Sequence, residues 1–193
     1  MLAGVGGQGI LFATNVLVRT ALRLGMEFSQ SEVHGLSQRY GSIHTELRIG
    51  EGVLSPLILQ GTLDLLIALE PLEALRHADQ ICSRTTIVLN THLIPPPIAY
   101  LERMKIPSCD EVIEILSSLS PKRILSLDAT RIASEEVGDP ITTNSVMLGA
   151  ASATGVLPFP PGEVRRTLGE LSPPHLRDAN LKAFDLGIRE VTP

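Results

Sequence analysis

The chain has 193 residues, 44% of them hydrophobic and 19% charged, which is the make-up of one α/β domain with a sizeable core. A net charge of −5, with aromatics at 3% and no basic run, argues against nucleic acid as the main partner. Cys82 and Cys109 are its two cysteines and make no C-x-x-C pair, so neither a zinc site nor a disulfide framework is expected. An iron–sulfur cluster takes about four thiolates and does not fit on this chain alone.

The chain opens on Leu2-Ala3-Gly4-Val5-Gly6-Gly7-Gln8-Gly9. Gly4, Gly6 and Gly9 fit the G-x-G-x-x-G spacing that ends a buried strand and starts a helix, where free N–H groups face an anion or a partner. Ile10, Ala13, Val16, Leu17, Ala21 and Leu24 then recur at helical spacing, and Gly25 closes the helix. Three residues precede Gly4, so the first strand is short or begins further upstream. A dinucleotide site also wants an acid roughly 20 residues on, at the end of the second strand. Glu27 and Glu32 lie near that distance, but neither closes an apolar strand cleanly.

Met26–Ser31 reads as the second strand, followed by a polar stretch, Ser31 to Ser42, without a period. Such a stretch inside a compact domain predicts a functional loop. Ile43–Ile49 alternates, with Ile43, Thr45, Leu47 and Ile49 on one face and His44, Glu46 and Arg48 on the other. Gly50-Glu51-Gly52 predicts a turn that returns the chain along Val53–Ser55, making a hairpin beside the main sheet. Leu63–Leu69, Thr85–Leu89 and Ile124–Leu127 read as buried parallel strands. Helices are predicted at Leu72–Ala78, from a Ser108/Glu111 capping box through Leu119, and at Thr130–Val137, Ser145–Ala153, Pro161–Leu171 and His175–Glu190. The expected architecture is therefore a Rossmann-like, doubly wound, mostly parallel sheet with an added β-hairpin and C-terminal helices. It forms one domain with residues 161–190 as an appendage.

Ligands of such sheets gather at the carboxyl ends of the strands, where Gly4–Gly9, the Ser31–Gly41 loop, Glu70, Asn90-Thr91 and Asp128 are predicted to lie. Glu32, His34 and Ser37 do not make a hydrolase triad, because no G-x-S-x-G elbow presents the serine. His34 reads as a loop or interface residue, and Arg39 as a planar cation suited to a carboxylate or phosphate. Glu70 reads first as a cap for the helix behind Pro71 and second as a base. Asn144 reads first as an N-cap and second as a ligand contact. No His/Cys/Asp/Glu set has metal spacing. No apolar run reaches a membrane span and no basic residue precedes the first apolar stretch, so a cytoplasmic chain without a signal peptide is expected.

Taken in order, Gly4-Val5-Gly6-Gly7-Gln8-Gly9, Ser31-Glu32-Val33-His34-Gly35-Leu36-Ser37-Gln38-Arg39, Ser55-Pro56-Leu57-Ile58, Leu69 through Arg76, Asn90-Thr91 and Asn144 through Ala150 resemble the beta subunits of indolepyruvate:ferredoxin oxidoreductases. The wider group is the gamma-type domain of 2-oxoacid:ferredoxin oxidoreductases. Tyr40 stands where that family usually has glycine. The resemblance implies oxidative decarboxylation of an aryl-pyruvate with coenzyme A and ferredoxin. It also implies thiamine diphosphate, magnesium and 4Fe-4S clusters on a large alpha subunit, and no cofactor bound by this chain alone. It points to Gly4, Gly6, Gly7, Gln8 and Gly9 as the cofactor-facing turn. His34, Ser37, Gln38, Arg39, Glu70 and Asn144 would be residues of a substrate or partner site. The alternatives are a gamma-type subunit for another 2-oxoacid, a stand-alone dinucleotide-binding protein, and a purely structural assembly subunit.

Overall fold

The short apolar run before the first glycines forms strand β1 (Leu2–Val5), buried along its whole length, and helix α1 (Ile10–Arg23) follows. The computed structural model describes residues 1–35, 41–96, 99 and 105–192. Strands β2 (Phe28–His34), β3 (Ser42–Ile49), β4 (Leu65–Ala68), β5 (Thr86–Asn90) and β6 (Arg123–Leu127) complete a six-stranded sheet in the order β2-β3-β1-β4-β5-β6. β1, β4, β5 and β6 run parallel, while β3 is antiparallel to both β1 and β2.

The hairpin is real, but its partner is not the expected one. β3 pairs with β2, in the register His34↔Ile43 to Phe28↔Ile49, and the connection is the polar stretch 35–41. Residues 53–55 form no strand. The Gly50–Gly52 turn spends its polar groups on Glu27: Gly50 N–H donates to the Glu27 carbonyl (3.0 Å) and Gly52 N–H to its carboxylate (2.7 Å). Those bonds close the far end of β2–β3, and Leu54 beyond them is 96% exposed.

Alternate strand residues serve opposite layers. Leu2, Ile67 and Val88 face α1 and the helices α5 (Thr143–Ser152), α6 (Pro161–Leu171) and α7 (Arg177–Val191). Ala3, Leu66, Ala68, Ile87 and Leu89 face α2 (Pro71–Leu75) and α3 (Cys109–Ser118). The sheet is thus doubly wound, as the alternation of strands and helices requires. On β3, Ile43, Leu47 and Ile49 pack toward the first layer, and the Thr45 hydroxyl meets Thr14 of α1 at 2.7 Å. The predicted Ser108/Glu111 capping box opens α3 with both of its hydrogen bonds. α4 (Ala129–Arg131) widens into a π-helix over Ile132–Val137, which Gly138 ends at φ 93°. α6 and α7 place Val164, Leu168, Ala183, Phe184 and Leu186 in the same core as α1.

Candidate functional site

The turn from β1 into α1 is shaped by contacts that exclude side chains. Gly6 N–H donates to the Gly41 carbonyl (2.9 Å), which ties the turn to the start of β3. Gln8 folds back: its Oε1 accepts from Val5 N–H (2.8 Å) and its Nε2 donates to the Leu69 carbonyl (2.9 Å). A Cβ on Gly4 would lie 2.5 Å from that Oε1. Gly9 stands at φ 74°, ψ 28° as N-cap of α1, and a Cβ there would meet Asn144 Nδ2 at 2.1 Å. Gly9 is therefore required twice, by its left-handed backbone and by the close approach of α5. Gly7, exposed at φ 101°, has open space around it. No side chain caps α1 and no acid lies in its first turn. The turn accordingly presents a partly positive helix start at the carboxyl edge of the sheet.

The other residues expected at this edge arrive there with different duties. Glu70 is fully buried and caps α2: one oxygen accepts from Glu73 N–H (2.9 Å) and the other from Ile94 N–H (3.1 Å). Burial raises its carboxyl above the usual range, while those two N–H groups pull the other way. Both oxygens are engaged in holding β4, α2 and the segment after β5 together, as the capping reading expects. Asn90, also buried, donates from Nδ2 to the Leu69 carbonyl and to Thr130 Oγ1 (both 3.0 Å) and accepts from Ala129 N–H (3.0 Å). Asp128 caps α4 by accepting from Arg131 N–H (2.9 Å).

Asn144 is not the N-cap that its position suggested. Asp139 and Pro140 start a 3-10 turn (Pro140–Thr142), so α5 begins earlier and Thr142 takes the cap position. Asn144 falls in the first turn, where its Nδ2 donates to the Gly9 carbonyl at 3.3 Å and braces the glycine turn. His34 is exposed at the end of β2, its Nε2 3.6 Å from Glu32. Ser37, Gln38 and Arg39 lie outside the described residues.

Sequence reasoning passed over a polar group on the β3 face opposite α1. Ser42 Oγ donates to Glu73 Oε2 (2.5 Å), and Arg76 Nε donates to Glu73 Oε1 (3.0 Å). His44 and His77 stand edge to face, ring centroids 4.5 Å apart. Burial lowers both pKa values, that of His77 to about 4 with His44 adding to the effect. Glu46 joins this face through Gln80 Nε2 (3.3 Å). The alternation of β3 already put His44 and Glu46 together; what it lacked was the helix that covers them.

A cleft of about 480 Å³ with a mixed lining opens at the opposite, amino edge, between Leu47, Leu57, Leu63 and Leu157 and the charged Arg48, Asp64 and Arg84. None of the expected site residues lines it. The two thiols are also far apart in role. Cys82 contacts the Leu63 carbonyl at that amino edge, and its thiol is lowered by the N–H groups around it. Cys109 opens α3, and burial raises its thiol. Among the described residues, no group of three or more His, Cys, Asp or Glu side chains is placed to hold a metal ion.

A family model described as pyruvate ferredoxin/flavodoxin oxidoreductase matches residues 1–190. The chain is 37% identical over 190 residues to indolepyruvate oxidoreductase subunit IorB of Archaeoglobus fulgidus, covering 98% of this chain and 93% of that protein. It is 36% identical over 189 residues to the subunit of the same name in Pyrococcus horikoshii, with the same coverages. Among solved structures, it shares the fold of the gamma subunit of a keto/oxoacid ferredoxin oxidoreductase from Geobacter sulfurreducens. That match has a TM-score of 0.70 and 22% identity, over 98% of this chain and 95% of that one.

Proposed function

The chain belongs to the pyruvate ferredoxin/flavodoxin oxidoreductase family, and from that premise we propose that it is the subunit of an indolepyruvate:ferredoxin oxidoreductase that serves the chemistry without carrying it. In the reaction an aryl-pyruvate loses carbon dioxide, coenzyme A takes the acyl group and ferredoxin takes the electrons. Full-length similarity to the IorB subunits supports the substrate class.

The division of labour rests on what this chain offers. Its two thiols sit in different parts of the fold and do not make a cluster site. Its sequence also lacks the G-D-G and N-N pattern with which thiamine enzymes hold diphosphate and magnesium. Thiamine diphosphate, which stabilises the carbanion left by decarboxylation, therefore belongs with magnesium and the 4Fe-4S clusters on the alpha subunit. This chain contributes the glycine turn at the carboxyl edge of its sheet, and Arg39 of the polar segment that follows β2 in sequence. Both meet the alpha subunit or an anionic group bound there. Among the described residues no helix is long and apolar enough to cross a membrane, and the complex is assigned to the cytoplasm, where both cysteines stay reduced.

The observation that carries this reading is the Gly6–Gly41 hydrogen bond, which ties the glycine turn to the residue where the polar segment rejoins β3. The test is to co-express the chain with its alpha subunit and follow indolepyruvate-dependent ferredoxin reduction. The chain alone should be inactive and the pair active. Arg39→Ala should lower turnover at least tenfold, as loss of a charged positioning contact does, with assembly and melting temperature unchanged. Turnover by the isolated chain, or full turnover with Arg39→Ala, overturns the proposal.

A further inference from the structure

Glu73 is a buried carboxylate that helix formation does not explain. α2 is already capped by Glu70 through the Glu73 N–H, so the Glu73 side chain is free to reach elsewhere. It reaches Ser42 on one oxygen and Arg76, 59% exposed, on the other. A buried charge needs partners on the protein side, and Ser42 is the one that belongs to another element.

Ser42 is where three strands of the carboxyl edge are fastened. It pairs with Val5 at the end of β1. Its carbonyl accepts from Gly35 N–H (2.8 Å) just beyond β2, where a Cβ would come within 3.1 Å of the same oxygen. Its neighbour Gly41 receives the Gly6 N–H of the glycine turn. Gly35 and Gly41 are thus both fixed beside Ser42, and Ser42 is held by Glu73.

We infer that Glu73 is a positioning residue: through Ser42 it sets the ends of β2 and β3, and with them the glycine turn, in the geometry the partner requires. This rests on the reading that the turn and the segment after β2 serve the alpha subunit. It adds a residue that touches neither substrate nor cofactor.

The test uses the assembled complex and amide hydrogen exchange. Ser42→Ala and Glu73→Ala should each speed exchange of the Gly6 amide roughly tenfold, while Leu66 and Val88 in the middle of the sheet keep their protection. Each should lower kcat/KM for indolepyruvate by about tenfold. The double variant should be no worse than the poorer single, because the two residues act as one clamp. Glu73→Gln, which keeps an acceptor for Ser42, should recover most of the loss. Unchanged Gly6 exchange in Ser42→Ala, or losses that add, overturns the clamp. Faster exchange with unchanged turnover overturns instead the functional reading on which the clamp depends.

Discussion

Burial holds His77 neutral. Its side chain is 8% exposed, lies against His44, and has its pKa pushed down to about 4 from an ordinary 6.5. The sign of the consequence follows from proton counting. Well above pH 6.5 neither the folded nor the unfolded chain protonates this ring, and stability is unaffected. As pH falls below 6.5 the unfolded chain takes up a proton that the folded chain refuses, so stability is lost down to about pH 4 and levels off below. The full loss is on the order of a few kcal/mol, at some 1.4 kcal/mol per unit. Urea unfolding midpoints measured at pH 7.5 and 4.5 should fall less for His77→Leu than for the natural chain. Equal falls would show that the ring titrates normally. At this scale the site was partly legible. Glu70 was readable as a cap from Glu-Pro at a strand end. Glu73, three residues on, was not, because its partner Ser42 lies 31 residues away in sequence.

Helices α5 and α7 meet backbone to backbone. A Cβ on Gly149 would come 2.0 Å from the Phe184 carbonyl oxygen, and one on Gly187 1.9 Å from that of Val146. All ten residues of α5 are buried, so the helix has no solvent face on which to shift. Gly149→Ala gains about 1 kcal/mol of helix propensity, but it sets a methyl group against backbone that cannot rotate away. The overpacking should outweigh the gain, for a net loss of about 1–2 kcal/mol, read as a lower urea midpoint of the purified chain. A variant as stable as the natural chain would mean that the crossing is looser than described. The sequence predicts this helix over Ser145–Ala153. Its start was misjudged because Asp139-Pro140 initiates a separate turn, and that moved Asn144 from cap to brace of Gly9.

At the scale of the molecule, the order of strands argues against a dinucleotide use of the glycine motif. In a dinucleotide fold the strand that ends in the ribose-binding acid lies next to the first. Here antiparallel β3 stands between β1 and β2. Glu32 is thereby placed two strand spacings, about 10 Å, from β1, and it is engaged with His34 and Gln30. Glu27 is at the far end, holding the Gly50–Gly52 turn. The isolated chain should therefore show no rise in melting temperature with NAD or NADP. A rise that grows with nucleotide concentration, as mass action requires of a native-state ligand, would reinstate the dinucleotide reading.

Local chemistry in the sequence was sufficient for the layers of this protein. Apolar runs, alternation on β3, a proline behind Glu70 and a serine–glutamate box placed most strands and helices. Each of those signals acts within a few residues of itself. The tertiary structure alone decided that β3 pairs with β2 rather than with residues 53–55, that Asn144 reaches Gly9, and that Ser42 is held by Glu73. These contacts are made by polar groups whose partners lie far away in the chain. Residue type says that such a group must be satisfied, but the packing of the whole sheet determines by what.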